Sequence, residues 1–510
     1  MPTSYCLPKD PPPGDEVSAV GGSKLSEEHL AQLVTDIKDY QLTHGNVLKL
    51  VRFEEATRVP SIGVGVSVLP TPFPRRCFNE AWALQRCMNE LYIRAGTDEQ
   101  WLHTILQPLM ERDGFLAALW DVHVDVRKAG VVQDVVCGIF RSDYMHQPCA
   151  VDHATLKQVE VNTFSAAGAC HAEHVANMHR HLQRMRRVAK LDNEHDRDSL
   201  LSPGDNINSL VAALITAYQA YRLPSQHSYC ILMVVQPYNF NVADERPIEY
   251  GLWDAGIPCY RCDWQEVLNR TTLTTDRKLL YRLPGSQTEL EVTVVYYRAG
   301  YDAAEYDTQG MQVRLRLELS TAIKCPDVLT HLTTFKAVQQ ALTEPDVLKR
   351  FLPVGDAERV RDTFMPISTL DTSAKGLQAR LNATDAAQAV HYVLKPNLEG
   401  GGNNIYGSKI PALLGSLPEE EWSKYILMRL IEPPEEIQGV LLTAEELYQG
   451  PVVSELGIFG TALWRREASG GVEMLRNESA GWTFKTKPSK VDEMSVVKGY
   501  GCFDCPKLTE

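Results

Sequence analysis

Apolar residues recur at helical spacing through the first part of the chain. Leu30, Leu33, Val34 and Ile37 form one stripe on a helix that Ser26 would cap, with Glu27 and Glu28 in its first turn. Ala81, Leu84, Met88 and Leu91 predict a second helix over about 77–94. Leu102, Ile105, Leu106 and Leu109 predict a third, capped by Asp98. These are core elements without assigned chemistry. The pattern then shortens to apolar runs of strand length. The run 131–140 reads as a buried strand ending at Arg141-Ser142-Asp143-Tyr144-Met145. In the stretch 157–165, Val159 and Val161 fall on one face, Glu160 and Asn162 on the other. A helix through Ile207, Leu210, Val211, Leu214, Ile215 and Tyr218 leads to strand runs at 229–235 and 292–297; Arg298 and Tyr301 follow the latter. Further strand runs lie at 392–394, 425–432 and 452–459, with a helical and loop region before them to about 390. Strands alternating with helices predict α/β layers.

Composition narrows the class. A chain of 510 residues is too long for one hydrophobic core, so two or three domains are expected. Hydrophobic content of 44% with 23% charged residues is that of a globular protein. The formal net charge of −14 argues against a nucleic acid or an anionic membrane as partner; an anionic ligand would need a local cluster of Lys and Arg. The N-terminus lacks a basic-then-apolar signal pattern, and no run of 18 apolar residues predicts a membrane span. Twelve scattered cysteines fit reduced cytosolic thiols better than a disulfide scaffold. The pairs Cys259/Cys262 and Cys502/Cys505 would make a zinc site only if the fold united them, and neither has zinc-ribbon or thioredoxin flanks. Residues 1–24, rich in Pro and Gly, read as loosely ordered, and 186–206 as a polar linker.

Chemistry concentrates in Lys395-Pro396-Asn397-Leu398-Glu399-Gly400-Gly401-Gly402-Asn403-Asn404-Ile405-Tyr406-Gly407. Lys395 follows a short apolar strand. Consecutive glycines let a backbone approach a ligand closely and turn N–H groups toward an anion. Glu399 adds a hard oxygen suited to Mg²⁺. The stretch matches neither G-x-x-x-x-G-K-[ST] nor G-x-G-x-x-G, so two readings stand: a loop that closes over a nucleotide, or a mobile turn between strands. Glu160 and Asn162 could give Mg²⁺ a carboxylate and an amide oxygen side by side, or could be the solvated face of an edge strand. Arg141 could grip a carboxylate with its planar fork or serve a structural ion pair. Glu455, alone in an apolar strand, needs a partner or a ligand.

Several stretches, in order, carry a resemblance: Arg141-Ser-Asp-Tyr-Met145, Glu160-Val-Asn-Thr163, Lys324-Cys-Pro-Asp327, Lys395-Pro-x-x-Glu-Gly-Gly-Gly-Asn-Asn-x-Tyr406, Tyr425-Ile-Leu-Met428 and Ser454-Glu-Leu-Gly-Ile-Phe-Gly460. Over most of its length the chain resembles the eukaryotic-type glutathione synthetases of the ATP-grasp superfamily. The resemblance implies an α/β ATP-grasp body over 25–228 and 341–510 with a glycine-rich lid near 395–420, and an inserted α/β substrate domain over 229–340. It implies a cytoplasmic homodimer that joins γ-glutamylcysteine to glycine with ATP and Mg²⁺ through an acyl phosphate, without a nucleophilic cysteine. Glu160, Asn162 and Glu399 resemble the metal ligands. Lys336, Lys395, Gly400, Gly401, Gly402, Asn403, Asn404, Tyr406, Met428, Ile431, Glu455 and Lys487 resemble the nucleotide set. Arg141, Ser165, Asn241, Glu245, Arg298 and Tyr301 resemble dipeptide contacts, and Lys485 with Val496 and Val497 falls where the acceptor is held; Arg141, Lys395 and Lys485 would be the catalytic cations. The chain departs from the family pattern at Ala167 (often Ser), Asn239 and Glu245 (an acid and Gln in animal members), Arg429 and Leu430 (often Glu-Lys), and Lys485 (usually Arg). A lysine cannot make the bidentate fork. Two alternatives follow: a sister ligase with another acceptor, such as β-alanine, serine or a polyamine conjugate, or a non-catalytic nucleotide-binding regulator.

Overall fold

A computed structural model describes residues 26–51, 57–148, 154–185, 204–221, 228–397, 403–443, 446–467 and 470–510. The N-terminal stretch 1–24, most of the expected linker (186–203), Glu399 and the three glycines Gly400, Gly401 and Gly402 lie outside the described residues.

The long antiparallel hairpin of Leu447–Arg466 and Val472–Pro488 lies at the centre of a sheet of thirteen described strands. Val135–Gln147 pairs with the first arm, setting Gly457 opposite Asp143 and Phe459 opposite Arg141. Thr155–Asn162 pairs in turn with Val135–Gln147, setting Asp143 opposite Glu160 and Arg141 opposite Asn162. The sheet runs on through Ile323–Cys325, in parallel register at Lys324 and Val136, to Glu289–Tyr297 and Tyr229–Val235, both parallel and buried as a crossover topology requires. On the other flank Cys502–Phe503 and Val66–Ser67 close the hairpin's second arm. Helix Arg75–Thr97 covers the hairpin with the predicted Ala81, Leu84, Met88 and Leu91 buried. Ser26 and Asp98 cap as predicted, accepting from His29 N (3.2 Å) and Trp101 N (3.1 Å).

A separate four-stranded antiparallel sheet orders Ile367–Thr369, Tyr425–Arg429, Tyr392–Pro396 and Ile405–Tyr406. One face packs Leu394 and Leu427 onto helices Ala374–Thr384 and Lys409–Ser416. The other carries Val393, Ile426 and Met428 with Tyr406 and Ile431, and part of it lines the cleft against the large sheet.

Three local expectations fail. The buried strand expected over 131–140 begins only at Val135, and Val131 and Val132 are exposed, so apolar character alone did not bury them. The strand does not stop at Arg141 but continues to Gln147, because Arg141 and Asp143, two apart and so on one face, satisfy each other. Val159 and Val161 do not share a face either. The register shifts between Asp143 and Tyr144, leaving Val159 unpaired as a bulge. Val161 stays buried, while Val159 joins Glu160 and Asn162 in the cleft wall.

Behind the cleft wall, Gly457 of the hairpin packs against Arg141 and Asp143. A Cβ there would lie 2.6 Å from Asp143 Oδ1, 2.7 Å from Thr483 Cγ2 and 3.0 Å from Arg141 Cδ. Gly457→Ala is expected to destabilise the chain by about 1–3 kcal/mol through overpacking, read as a lower urea midpoint.

Candidate active site

The two sheets enclose a cleft of about 490 Å³, and every candidate site residue named above that is described lines it. One end gathers positive charge. Lys336 opens helix Lys336–Leu342, and its Nζ lies 2.8 Å from Glu160 Oε2. Lys395, in the small sheet, donates from Nζ to the carbonyl of the bulged Val159 at 2.8 Å. Burial would raise the Glu160 carboxyl, but Lys336, Lys395 and Arg141 more than offset this and hold it well below the usual carboxylate range. Burial brings the Lys395 ammonium down to about 8; Glu160 opposes this and Lys336 adds to it.

An ionised Glu160 and the side chain of Asn162, both facing the cleft, fit a hard cation such as Mg²⁺. Among the described residues no three His, Cys, Asp or Glu side chains converge as a metal cluster. A full set would therefore draw on Glu399 or on bound phosphate oxygens. Cys259 and Cys262 share one strand near one margin of the large sheet, and Cys502 and Cys505 lie toward the other; all four are buried free thiols.

The adjoining wall is built from buried ion pairs. Arg141 makes two 2.7 Å bonds to the carboxylate of Asp143 and donates to the Ala167 carbonyl, also at 2.7 Å. Asn162 Nδ2 donates to Asp143 Oδ2 at 3.1 Å. Ser165 holds a left-handed φ of 51°, uncommon for a residue with a side chain, where the chain turns into the cleft. Arg298 Nη2 lies 2.9 Å from Asp244 Oδ2, and its Nε 3.7 Å from Glu245 Oε1. Asp244 also accepts from the backbone N–H groups of Gly168 and Cys170, fixing the start of helix Ala169–Arg184. Glu245 takes Arg261 Nη2 at 2.8 Å and Asn239 Nδ2 at 2.5 Å. Burial raises its carboxyl against the pull of Arg298 and Arg261. Asn241 Oδ1 lies 2.9 Å from His171 Nε2. Tyr301 anchors its backbone N–H on Glu305.

At the tail, the hairpin register puts Lys485 opposite Glu455, with Nζ 2.5 Å from Oε1. Burial raises the Glu455 carboxyl, opposed by Lys485 and aided by Asp143. Lys487 bonds the carbonyls of Val491 (2.7 Å) and Asp492 (2.6 Å), folding 489–497 back so that Val496 and Val497 line the cleft. Asn404 N–H donates to Glu493 Oε1 at 2.9 Å, joining that tail to the small sheet.

Sequence reasoning passed over Asp143, Asp244, Glu493 and the Val159 carbonyl. Asp143 was within reach, since its two-residue offset from Arg141 puts both on one strand face. The others depend on contacts that no local pattern encodes.

An α/β body with a small antiparallel sheet facing a lysine-lined cleft defines an ATP-dependent ligase of the ATP-grasp kind. The chain belongs to the eukaryotic glutathione synthase family: the family model "Eukaryotic glutathione synthase, ATP binding domain" matches residues 27–508. Glutathione synthetase of Bos taurus is 33% identical over 490 residues, covering 95% of this chain and 98% of that protein. The Homo sapiens enzyme is 32% identical with the same coverage. The glutathione synthetase large chain of Schizosaccharomyces pombe is 31% identical over 508 residues, covering 96% and 99%. A solved structure of a glutathione synthetase-like effector from Globodera pallida, in apo form, superposes with a TM-score of 0.70 at 22% identity, covering 95% of this chain and 98% of that one; it speaks for the fold.

The depressed Lys395 sets a pH limit. Its charge is nearly complete a pH unit or more below about 8 and is lost as pH rises through that value. The kcat/KM for ATP is therefore expected to fall above about pH 8, and Lys395→Arg, which stays charged, should shift that limb upward.

Proposed function

We propose that this chain ligates γ-glutamylcysteine to glycine, with ATP converted to ADP and phosphate. The observation that carries the reading is one cleft lined by Lys336, Lys395 and Glu160 together with Arg141, Arg298 and Lys485. A carboxylate resists attack by an amine until its oxygen is made a better leaving group. The dipeptide's cysteinyl carboxylate attacks the γ-phosphorus of ATP and ADP leaves; the glycine amine then attacks the acyl carbon, sheds its proton and expels phosphate.

Lys336 and Lys395 hold the phosphates and neutralise charge as it moves, which is the main work of phosphoryl transfer. Arg141 and Arg298 orient the dipeptide from walls fixed by Asp143 and Asp244. Lys485 takes the acceptor carboxylate, Val496 and Val497 pack beside it, and Met428, Ile431 and Tyr406 form the apolar nucleotide wall. Mg²⁺ held by Glu160, Asn162 and Glu399 would supply further positive charge to the phosphate oxygens. We read 395–420, with Gly400, Gly401 and Gly402, as the part that shuts out water, which would otherwise hydrolyse the acyl phosphate. The segment 229–340, source of Asn241, Glu245, Arg298 and Tyr301, is the dipeptide-recognising insertion. Family resemblance extends the proposal to a cytoplasmic homodimer, and the free buried thiols agree with a reducing compartment. Among the described residues no helix is long and apolar enough to cross a membrane.

One observation favours a second reading, a ligase for another acceptor: Lys485 is a point charge already bound to Glu455. Phosphate release with ATP, Mg²⁺ and γ-glutamylcysteine decides between them when glycine, β-alanine or serine is added singly. Glycine-dependent release with glutathione as product is expected. Release with another acceptor but little with glycine selects the sister ligase, and no acceptor-dependent release overturns both. Lys485→Ala is expected to raise the KM for the acceptor by about tenfold to a hundredfold, as loss of a charged hydrogen bond would, with little change in the KM for ATP.

A further inference from the structure

Asn397 sits two residues past Lys395, at the end of strand Tyr392–Pro396, and is 4% exposed. It does not face the cleft. Its side-chain Oδ1 accepts from the backbone N–H of Ala337 at 2.8 Å. Its Nδ2 donates to the Lys424 carbonyl at 3.0 Å, and its backbone N–H donates to the same carbonyl at 3.0 Å. Ala337 is the second residue of helix Lys336–Leu342, whose own N-cap, Phe335, has no side chain able to cap it. The cap therefore comes from the small sheet. A single amide spans the lysine-bearing helix on one side and, through Lys424, the start of strand Tyr425–Arg429 on the other.

We infer that Asn397 is a positioning residue that sets the spacing of the two phosphate lysines. Lys336 rides on the helix it caps, and Lys395 on the strand it ends. Both lysines reach the same bulged turn, Lys336 to Glu160 and Lys395 to Val159, and Gln339 of the capped helix also donates to the Val159 carbonyl, at 3.2 Å. Without the Asn397 bridge these contacts would still form, but helix and strand could shift against each other, and a polyphosphate needs both charges at a fixed distance. The inference rests on the nucleotide reading of the cleft.

The test compares Asn397→Ala with Asn397→Asp in the full chain, titrating ADP and a non-hydrolysable ATP analogue by calorimetry and measuring KM for ATP and for the dipeptide. Asp keeps an acceptor for the Ala337 N–H at a helix N-terminus, where negative charge is favoured, and loses the Nδ2 donor to Lys424, whose carbonyl still takes the backbone N–H of residue 397. It also adds a negative charge near bound phosphates. If only charge mattered, Asp would bind nucleotide worse than Ala. If the cap matters, Asp binds better. Asn397→Ala is expected to weaken nucleotide binding and raise the KM for ATP by about tenfold, with the dipeptide KM changed by less than about twofold. Asn397→Asp should recover most of that loss. Nucleotide affinity in Asn397→Asp no better than in Asn397→Ala, or unchanged in both, overturns the inference. Should Asn397→Ala not fold, Asn397→Asp within about threefold of the unmodified chain supports it, and a greater loss overturns it. Nucleotide binding by the unmodified chain without ligase turnover would overturn the proposed function and leave this titration decisive for Asn397; absence of nucleotide binding would overturn both.

Discussion

Lys336 and Lys395 are each at most 6% exposed, in one cleft, with Glu160 beside them. Removing an ion from water costs several kcal/mol even after relaxation. Two opposite charges about 4 Å apart recover about 4 kcal/mol at an effective dielectric of 20. That cost falls on each ion, so the mutual attraction offsets only part of it and the cluster is no source of stability. What it does is hold charges where a polyphosphate would need them. Glu160 stays ionised through its lysine neighbours, and Lys395 keeps its proton at neutral pH partly because Glu160 is ionised.

Such a cluster requires parts that lie far apart in the chain. Lys336 reaches across 176 residues to Glu160, and Lys395 across 236 to Val159. The long hairpin makes this reproducible. It fixes Val135–Gln147 by antiparallel register, that strand fixes Thr155–Asn162, and the bulge at Val159 turns a carbonyl toward both Lys395 and Gln339. Small residues keep the layers close, as at Gly457 behind Arg141 and Asp143 and at Gly460, where a Cβ would lie 2.0 Å from Asn89 Oδ1. The precision of the cleft thus comes from sheet register more than from any loop.

What the sequence made legible followed local period. The three N-terminal helices, the caps of the first and third, and the shared face of Glu160 and Asn162 were all readable from local pattern. Glu455 was readable as an anomaly, a carboxylate in an apolar strand that had to have a partner. The partner was not readable, because Lys485 meets it only through the register of the hairpin. The end of the first large strand was misjudged because Arg141 looked like a terminator when considered without Asp143. Strand Ile367–Thr369 escaped notice because three residues carry no period, and its pairing with Tyr425–Arg429 is what makes it a strand. The set of residues in the cleft owed most to family resemblance, since spacing alone left Arg141, Glu160 and the glycine run each with a structural alternative.

The departures from the family pattern acquire a physical sense in this setting. Arg141 is matched by Asp143, Arg298 by Asp244, Lys336 by Glu160 and Lys485 by Glu455, so each of these cations already has a carboxylate partner. In a chain with a net charge of −14, a site balanced in this way exerts little long-range pull on anionic substrates. Recognition must come from exchange at short range, in which a substrate carboxylate or phosphate competes with a protein carboxylate for the same cation. An arginine can serve both at once through its fork, but a lysine offers one centre of charge. On the proposed reading, Lys485 would have to divide itself between Glu455 and an acceptor carboxylate. Burial and the nearby charge of Asp143 raise the Glu455 carboxyl and weaken its claim, so the balance at that position is set by the wall behind the lysine as much as by the lysine itself.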